Sequence, residues 1–282
     1  MQVAATIEEM RALRRVLPGK DDVGLVPTMG FLHEGHLSLV RAAREQNDNA
    51  VVSIFVNPNQ FGPGEDYQSY PRDPERDLAL LRAERVDAVF IPSAEEMYLE
   101  GASTFVEVAG VTEGLEGAHR PGHLRGVTTV VAMLFHIVQP RRAYFGQKDA
   151  QQLAVVRKLV RELHFDVEIV AMPTVRERDG LAMSSRNAYL SPAERQAALV
   201  LSRALRRAEE RFASGERDGE RLRGAMRELI AQEPLARVDY VSVADPESLR
   251  ELERIEGAAL ASLAVRIGAT RLIDNVPLGE RS

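Results

Sequence analysis

The sequence predicts an α/β fold, a doubly wound parallel sheet followed by a smaller α+β carboxyl-terminal domain. Three observations predict it. Nearly continuous apolar runs, VGLV at 23–26 and AVVSIFV at 50–56, suit parallel strands buried on both faces. Such runs alternate four or five times with helical patterns of about 10 to 15 residues, which is the order of strand–helix–strand units. Beyond Pro173 the alternation stops, and two charged helical stretches precede three strand-like runs, the order of a segregated α+β unit.

In chain order, Ile7, Met10, Leu13 and Val16 repeat at helical spacing, and Pro18-Gly19 ends that helix. The strand at 23–26 runs into Pro27 and a polar loop at 28–35, which opens onto an amphipathic helix carrying Leu37, Leu39, Val40 and Ala43. After the strand at 50–56 comes the loop NPNQFGPGEDYQSYPR, residues 57–72. Loops this long are usually functional or disordered, and Phe61, Tyr67 and Tyr70 argue for order. A helix at 74–85, strands at 88–91 and 104–109, and the loop GLEGAHRPGHLRG follow; that loop holds His119, Arg120, His123 and Arg125. A helix at 127–138, a strand at 143–145, the turn GQKD, a helix at 150–163 and a strand at 167–172 complete the first domain, 1–175. The second, 176–282, opens in the polar connection PTVRERDGLAMSSRNAYLSP and continues through helices at 194–213 and 219–232 to strands at 238–243, 258–267 and 270–275. The composition of residues 277–282 predicts an unordered tail.

A hydrophobic share of 45% with 28% charged residues provides for an adequate core. The net charge of -6 argues against nonspecific binding to nucleic acid or anionic membrane, while leaving room for one small anion in a locally basic cleft. The absence of cysteine excludes disulfides, zinc thiolates and thiol nucleophiles. No signal-peptide core and no run of roughly 20 apolar residues is present, which points to a cytoplasmic protein.

The most informative stretch is VPTMGFLHEGHLSLV, residues 26–40. In an open α/β sheet, ligands collect outside the carboxyl ends of strands, where loop amides and the next helix's positive end face an anion. His33 and His36 fall three apart in a first helical turn, which puts both imidazoles on one face, and Gly30 and Gly35 permit close backbone approach. The bland alternative makes Thr28 an N-cap and the histidines ordinary surface residues. A zinc-protease reading of His33-Glu34-Gly35-His36 fails on spacing, since it needs histidines four apart.

The segments PTMGFLHEGH, VSIFVNPNQFGPGEDYQSYPRD, HLRGVTTVV, YFGQKDAQQL and PTVRERDGLAMSSRNAYL span residues 27–190 in order, with TRLIDN nearer the end. Together they resemble the pantothenate synthetase (pantoate–β-alanine ligase) family, within the HIGH-type nucleotidyltransferases. The two signatures of that superfamily correspond to His33-Glu34-Gly35-His36 and to Met183-Ser184-Ser185-Arg186. The resemblance implies a Rossmann-like domain binding ATP and pantoate, and a lid domain carrying the second signature. It implies ATP-dependent condensation of (R)-pantoate with β-alanine through pantoyl adenylate, releasing pyrophosphate and then AMP. His33, His36, Lys148, Ser184, Ser185 and Arg186 match the residues that act on the ATP phosphates. Pro27, Thr28, Met29, Gly35, Gly146, Asp149, Val175 and Met183 match further ATP contacts. Met29, Gln60 and Gln152 match the pantoate site, and Tyr70 and Arg120 belong to motifs near it. Mg²⁺ is implied as cofactor, with Asp77 at an acidic family position and Arg76 where some relatives carry a second acidic residue. A homodimer through the larger domain is implied as well, with no nucleic-acid or membrane partner.

Taken without the resemblance, several of these residues have plainer readings: Lys148 and the glutamines as solvated surface, Asp149 as a helix N-cap, Ser184-Ser185 as a loop cap, Asp77 as a solvent-facing carboxylate. Two rival functions are weighed. An adenylyltransferase that leaves AMP on a phosphate-bearing acceptor is disfavoured by Gln60 and Gln152, which suit a hydroxy acid. A nucleotide-sensing or RNA-binding module without turnover is disfavoured by phosphate-type residues in both signatures and by the acidic net charge.

Overall fold

The computed structural model describes residues 1–19 and 21–279. In chain order, β1 (Gln2–Ala4) leads to α1 (Ile7–Val16), started by a capping box between Thr6 and Glu9. β2 (Val23–Thr28), α2 (Glu34–Gln46), β3 (Asn49–Ile54), α3 (Pro74–Ala83) and β4 (Ala88–Phe90) follow, then the short helices α4 (Ala94–Met97) and α5 (Glu116–His119). α6 (His123–Val138), β5 (Arg142–Gly146), α7 (Ala150–Glu162) and β6 (Glu168–Met172) complete the α/β portion. The rest is α8 (Pro192–Ala197), α9 (Leu199–Ala213), α10 (Gly219–Ile230), β7 (Ala236–Ala244), β8 (Ala259–Ile267) and β9 (Thr270–Leu278).

The apolar runs pair as expected. One sheet has the order β1-β4-β3-β2-β5-β6 with every pairing parallel, and the other is β7-β8-β9, antiparallel. β3 and β4 lie on one side of β2 and β5 and β6 on the other, so the order reverses beside β2, where an open sheet leaves a ligand crevice at its strands' carboxyl ends.

One strand is added to those expected, and two expectations are corrected. β1, too short to show a period, pairs with β4 at the sheet edge. Residues 104–109 form no strand: the Val106 N–H donates to Thr129 Oγ1 at 3.0 Å, and the Thr128 hydroxyl donates to the Val106 carbonyl. Helix hydroxyls thus take the place of a partner strand. The tail begins later than its composition suggested, because β9 runs through Pro277 to Leu278, which is buried against Ala259. Pro277 is tolerated there because β9 is an edge strand. The order expected of residues 280–282 lies outside the described residues.

Contacts divide the chain into two compact units. The first comprises Met1–Ala109, Arg120–Gly146 and Val155–Pro173. Its core includes Val26, Val40, Val52, Leu81 and Val89 around Tyr144, whose buried hydroxyl accepts from Asn47 at 2.7 Å. The second comprises Gly110–His119, Gln147–Ala154 and Thr174–Ser282. Its core packs Leu201, Leu205, Leu222 and Met226 against Leu263 and Val265 of β8.

Two short segments, Gly110–His119 and Gln147–Ala154, group with the second unit. Side-chain pairing inside that unit explains it. Glu116 forms a two-pronged ion pair with Arg271 of β9, at 2.7 and 2.8 Å. Gln151 accepts from the Glu116 N–H and donates to the carbonyls of Val111 and Gly114.

Candidate active site

In the first unit, β2 ends at Thr28, whose hydroxyl donates to the Ser53 carbonyl and accepts the Gly30 N–H. The chain then turns sharply: Gly30 has φ +81° and Phe31 φ +49°. Gly30 is needed twice over, for its positive φ and because a Cβ there would meet Ile54 Cγ2 at 2.9 Å and Asp77 Oδ2 at 3.0 Å. The N-cap of α2 is His33, not Thr28. His33 Nδ1 accepts the Gly35 N–H at 3.1 Å and His36 Nδ1 accepts the His33 N–H at 3.3 Å. The rings lie 4.1 Å apart, tilted by 33°. A ring nitrogen that accepts must be unprotonated, so each neutral imidazole carries its proton on Nε2. Two N–H donors side by side at a helix amino terminus suit phosphate oxygens.

Pro27 lies in β2 opposite Ser53, and Met29 follows the strand. Gln60, in the turn Pro58–Gln60, is 8% exposed and donates from Nε2 to Met29 Sδ at 2.9 Å, while Asn57 Nδ2 donates to its Oε1 at 3.1 Å. Arg120, which its motif places near the site, and His123, for which the sequence suggested no role, grip the same turn. His123 Nδ1 bonds the Gln60 carbonyl at 2.8 Å, and its Nε2 takes Arg120 Nη1 at 3.0 Å. Arg120 in turn bonds both oxygens of Glu65 at 2.7 Å. Burial pushes the Glu65 carboxyl up, but the Arg120 guanidinium more than offsets it, leaving Glu65 below its usual range. Tyr70 is buried edge-on against Phe61, so its ring serves to order the loop.

Asn57 was missed by sequence reasoning. It is 1% exposed, donates to the Gly126 carbonyl as well as to Gln60, and accepts from the Tyr98 hydroxyl at 2.7 Å. Burial pushes the Tyr98 phenol up to about 12. Nearby, Met29, Phe31, Ile54, Phe55, Ile91 and Pro92 line a mainly apolar cavity of about 230 Å³ at the carboxyl ends of β2, β3 and β4. Gly146 ends β5, with open space where a Cβ would stand.

Asp77 is 1% exposed within α3. Its Oδ2 accepts the Phe31 N–H at 2.7 Å and its Oδ1 the Leu32 N–H at 2.8 Å. Among the described residues, no group of three or more His, Cys, Asp or Glu converges to hold a metal ion.

In the second unit, Lys148 lies in the turn Gln147–Asp149 with its Nζ 3.9 Å from Asp149 Oδ1. Asn275 Nδ2 holds that turn by donating to the carbonyls of Gln147 at 3.0 Å and Lys148 at 2.8 Å. The neighbouring Asp274, 2% exposed, binds both terminal nitrogens of Arg176, which also donates to the Gly180 carbonyl. The Met183 N–H donates to the Val175 carbonyl at 3.0 Å, closing the loop before the second signature. Ser184 caps the turn Ser185–Tyr189 by accepting the Arg186 N–H, and Ser185 is buried. Adjacent residues of β9 thus anchor the lysine turn and the signature loop. Sequence reasoning found TRLIDN only as a weak motif, because contacts 128 residues apart leave no periodicity. Gln152 is half-buried on α7, beside the structural Gln151.

The model of the family described as pantoate-beta-alanine ligase matches residues 2–277. A pantothenate synthetase of Roseiflexus sp. (strain RS-1) is 63% identical over 278 residues, covering 99% of each chain. The crystal structure of a pantothenate synthetase from Thermus thermophilus superposes with a TM-score of 0.95 at 52% identity, covering 99% of this chain and 100% of that one. A pantoate-beta-alanine ligase from Francisella tularensis, complexed with beta-gamma ATP and beta-alanine, superposes with a TM-score of 0.81 at 34% identity, covering 98% and 97%. End-to-end agreement in sequence and topology, with the histidine pair at the point where strand order reverses, leads to one conclusion: the chain belongs to the pantoate–β-alanine ligase family.

Proposed function

We propose that this chain condenses (R)-pantoate with β-alanine, using ATP, to give pantothenate, AMP and pyrophosphate through pantoyl adenylate. The observation that supports it most is the His33–His36 pair, whose backbone-capped Nδ1 atoms put the ring protons on Nε2 in the loop after β2. A pantoate carboxylate oxygen attacks the α-phosphorus of ATP as its bond to the β-phosphate bridging oxygen breaks, and pyrophosphate leaves. The neutral amine of β-alanine then attacks the acyl carbon, AMP leaves, and the amine's proton passes to solvent.

A carboxylate is already ionised at neutral pH, so the first step needs in-line positioning and charge compensation and no enzyme nucleophile. We assign His33, His36, Lys148, Ser184, Ser185 and Arg186 to the phosphates. The backbone of Pro27, Thr28, Gly35, Gly146, Val175 and Met183, with the Asp149 carboxylate, goes to the rest of ATP, and Met29, Gln60 and Gln152 to pantoate. ATP enters as its Mg²⁺ complex, the ion held chiefly by phosphates and water, as this small, reluctantly dehydrated cation usually is. Closure of the lid over pantoyl adenylate would protect it from water. A cytoplasmic homodimer completes the reading; no described helix is long and apolar enough to cross a membrane.

The test is exchange of labelled pyrophosphate into ATP, expected only with pantoate present, followed by AMP and pantothenate formation when β-alanine is added. Lys148→Ala and His36→Ala should stay folded and lose the exchange. Exchange that ignored pantoate, or variants that kept most of it, would refute the assignment.

A further inference from the structure

Asp77 stands at the position where the family pattern suggests a metal ligand, and its surroundings do not fit one. Its side chain is 1% exposed, and each carboxylate oxygen already accepts a backbone N–H, from Phe31 at 2.7 Å and Leu32 at 2.8 Å. A Mg²⁺ ligand must reach an ion that keeps several waters and the substrate phosphates around it. Asp77 borders the mainly apolar cavity beside Phe31 and Ile54, but with 1% of its side chain exposed and a backbone amide on each oxygen it is poorly placed for so hydrated an ion. The adjacent charge is also of the wrong sign: Arg76 Nη1 lies 3.8 Å from Asp77 Oδ1, with its guanidinium over the Phe31 ring.

We propose that Asp77 is a positioning residue for the histidine loop, and that it acts by gripping two consecutive amides and not by holding Mg²⁺. The inference rests on the reading of His33 and His36 as phosphate donors. Residues 30–32 are where the chain leaves β2 and turns into the cap of α2, with two consecutive residues at positive φ. A non-glycine residue such as Phe31 holds that conformation only when its surroundings over-determine it. The paired N–H···carboxylate bonds do so, and charge-assisted bonds of this kind are about twice as strong as neutral ones. His33, one residue beyond Leu32, is then delivered with its Nδ1 facing Gly35. The raised pKa of Asp77, caused by its burial, accords with a carboxylate withdrawn from solvent.

Asp77→Asn tests this. An amide offers one accepting oxygen, and its NH₂ group would face the second backbone N–H, so one grip is lost and replaced by opposed donors. In the purified, folded variant the Phe31 and Leu32 amides should exchange with deuterium at least about tenfold faster, without any substrate present. The kcat/KM for ATP in pyrophosphate exchange should fall about 10- to 100-fold, the cost of small misplacement of reacting groups. The Mg²⁺ concentration giving half-maximal rate at saturating ATP should stay within about twofold of the parent.

Gly30→Ala disturbs the same junction while leaving the carboxylate intact, since its Cβ would press on Asp77 Oδ2 and Ile54. It should reproduce the pattern, and it decides the matter should Asp77→Asn not fold. A tenfold or larger rise in the Mg²⁺ requirement of Asp77→Asn with unchanged amide protection would overturn the proposal, as would Gly30→Ala with parental protection at Phe31 and Leu32. If instead His33→Ala and His36→Ala kept their exchange rate, the phosphate reading itself would fall. The amide protection result stands apart from that, because it is read without nucleotide.

Discussion

Gly126→Ala is a small change whose effect on the pantoate side can be worked from distances. Gly126 sits in the first turn of α6, and a Cβ built there would stand 2.2 Å from the Asn59 carbonyl oxygen, 2.5 Å from its carbon and 2.7 Å from Gln60 N. All three are backbone atoms, so no rotamer change relieves them. To restore ordinary contact at 3.4 Å from 2.2 Å, the turn carrying Gln60 must withdraw by about 1.2 Å. It is tied down on both sides, by Asn57 to the Gly126 carbonyl at 3.1 Å and by His123 to the Gln60 carbonyl at 2.8 Å.

Two opposing energies bear on stability. The helix favours alanine over glycine by about 1 kcal/mol. Overpacking against fixed backbone costs about 1–3 kcal/mol. The net loss is therefore about 0–2 kcal/mol, and the protein should fold. Function should respond more sharply, because a misplacement of about 1 Å costs about 100-fold where positioning is the mechanism. The KM for pantoate, measured by pyrophosphate exchange at saturating ATP, should rise at least about tenfold while the KM for ATP stays close to that of the parent. If Gly126→Ala kept the parental pantoate KM while Gln60→Ala raised it, the turn would be soft and the rigidity argument wrong. If neither variant changed it, Gln60 would not be a pantoate ligand.

Asn275→Ala frees the Gln147 and Lys148 carbonyls, and should lower the pyrophosphate-exchange rate about tenfold while leaving the KM for β-alanine unchanged in the second half-reaction. The Glu65–Arg120 pair gives a pH dependence of known sign: a carboxyl held lower in the folded than in the unfolded chain stabilises above its ordinary value of 4.5 and loses that contribution as pH falls through the folded value. The stability difference between the parent and Glu65→Gln, measured by urea unfolding, should be present at pH 7 and shrink progressively below 4.5.

The sheet was legible because burying a strand on both faces demands consecutive apolar residues, and residues 50–56 announce that locally. Residues 104–109 also read as a strand and form none, since composition reports a tendency to extend and says nothing about who supplies the partner hydrogen bonds. Here Thr128 and Thr129 supply them. At the site, His33 and His36 were legible by type and spacing. The tautomer-setting caps were not, because they depend on where α2 begins. Thr28 looks like an N-cap by residue type, yet Gly30 and Phe31 turn the chain with positive φ and defer the helix to Glu34.

The residues whose roles sequence reasoning missed share one physical character. Asp77 holds the N–H groups of Phe31 and Leu32, Asn275 the carbonyls of Gln147 and Lys148, and His123 the carbonyl of Gln60. Each grips the backbone of a neighbouring loop and leaves the side chain of that loop for the substrate. A grip on backbone is indifferent to which side chain the loop presents, so it leaves no complementary pattern of residue types along the chain. The same indifference makes it separable from chemistry: Lys148→Ala removes an ammonium while the Asn275 bonds to its carbonyl persist, whereas Asn275→Ala leaves the ammonium and loosens its mounting. The first substitution should therefore abolish rate without changing amide protection in the turn Gln147–Asp149, and the second should reduce both together.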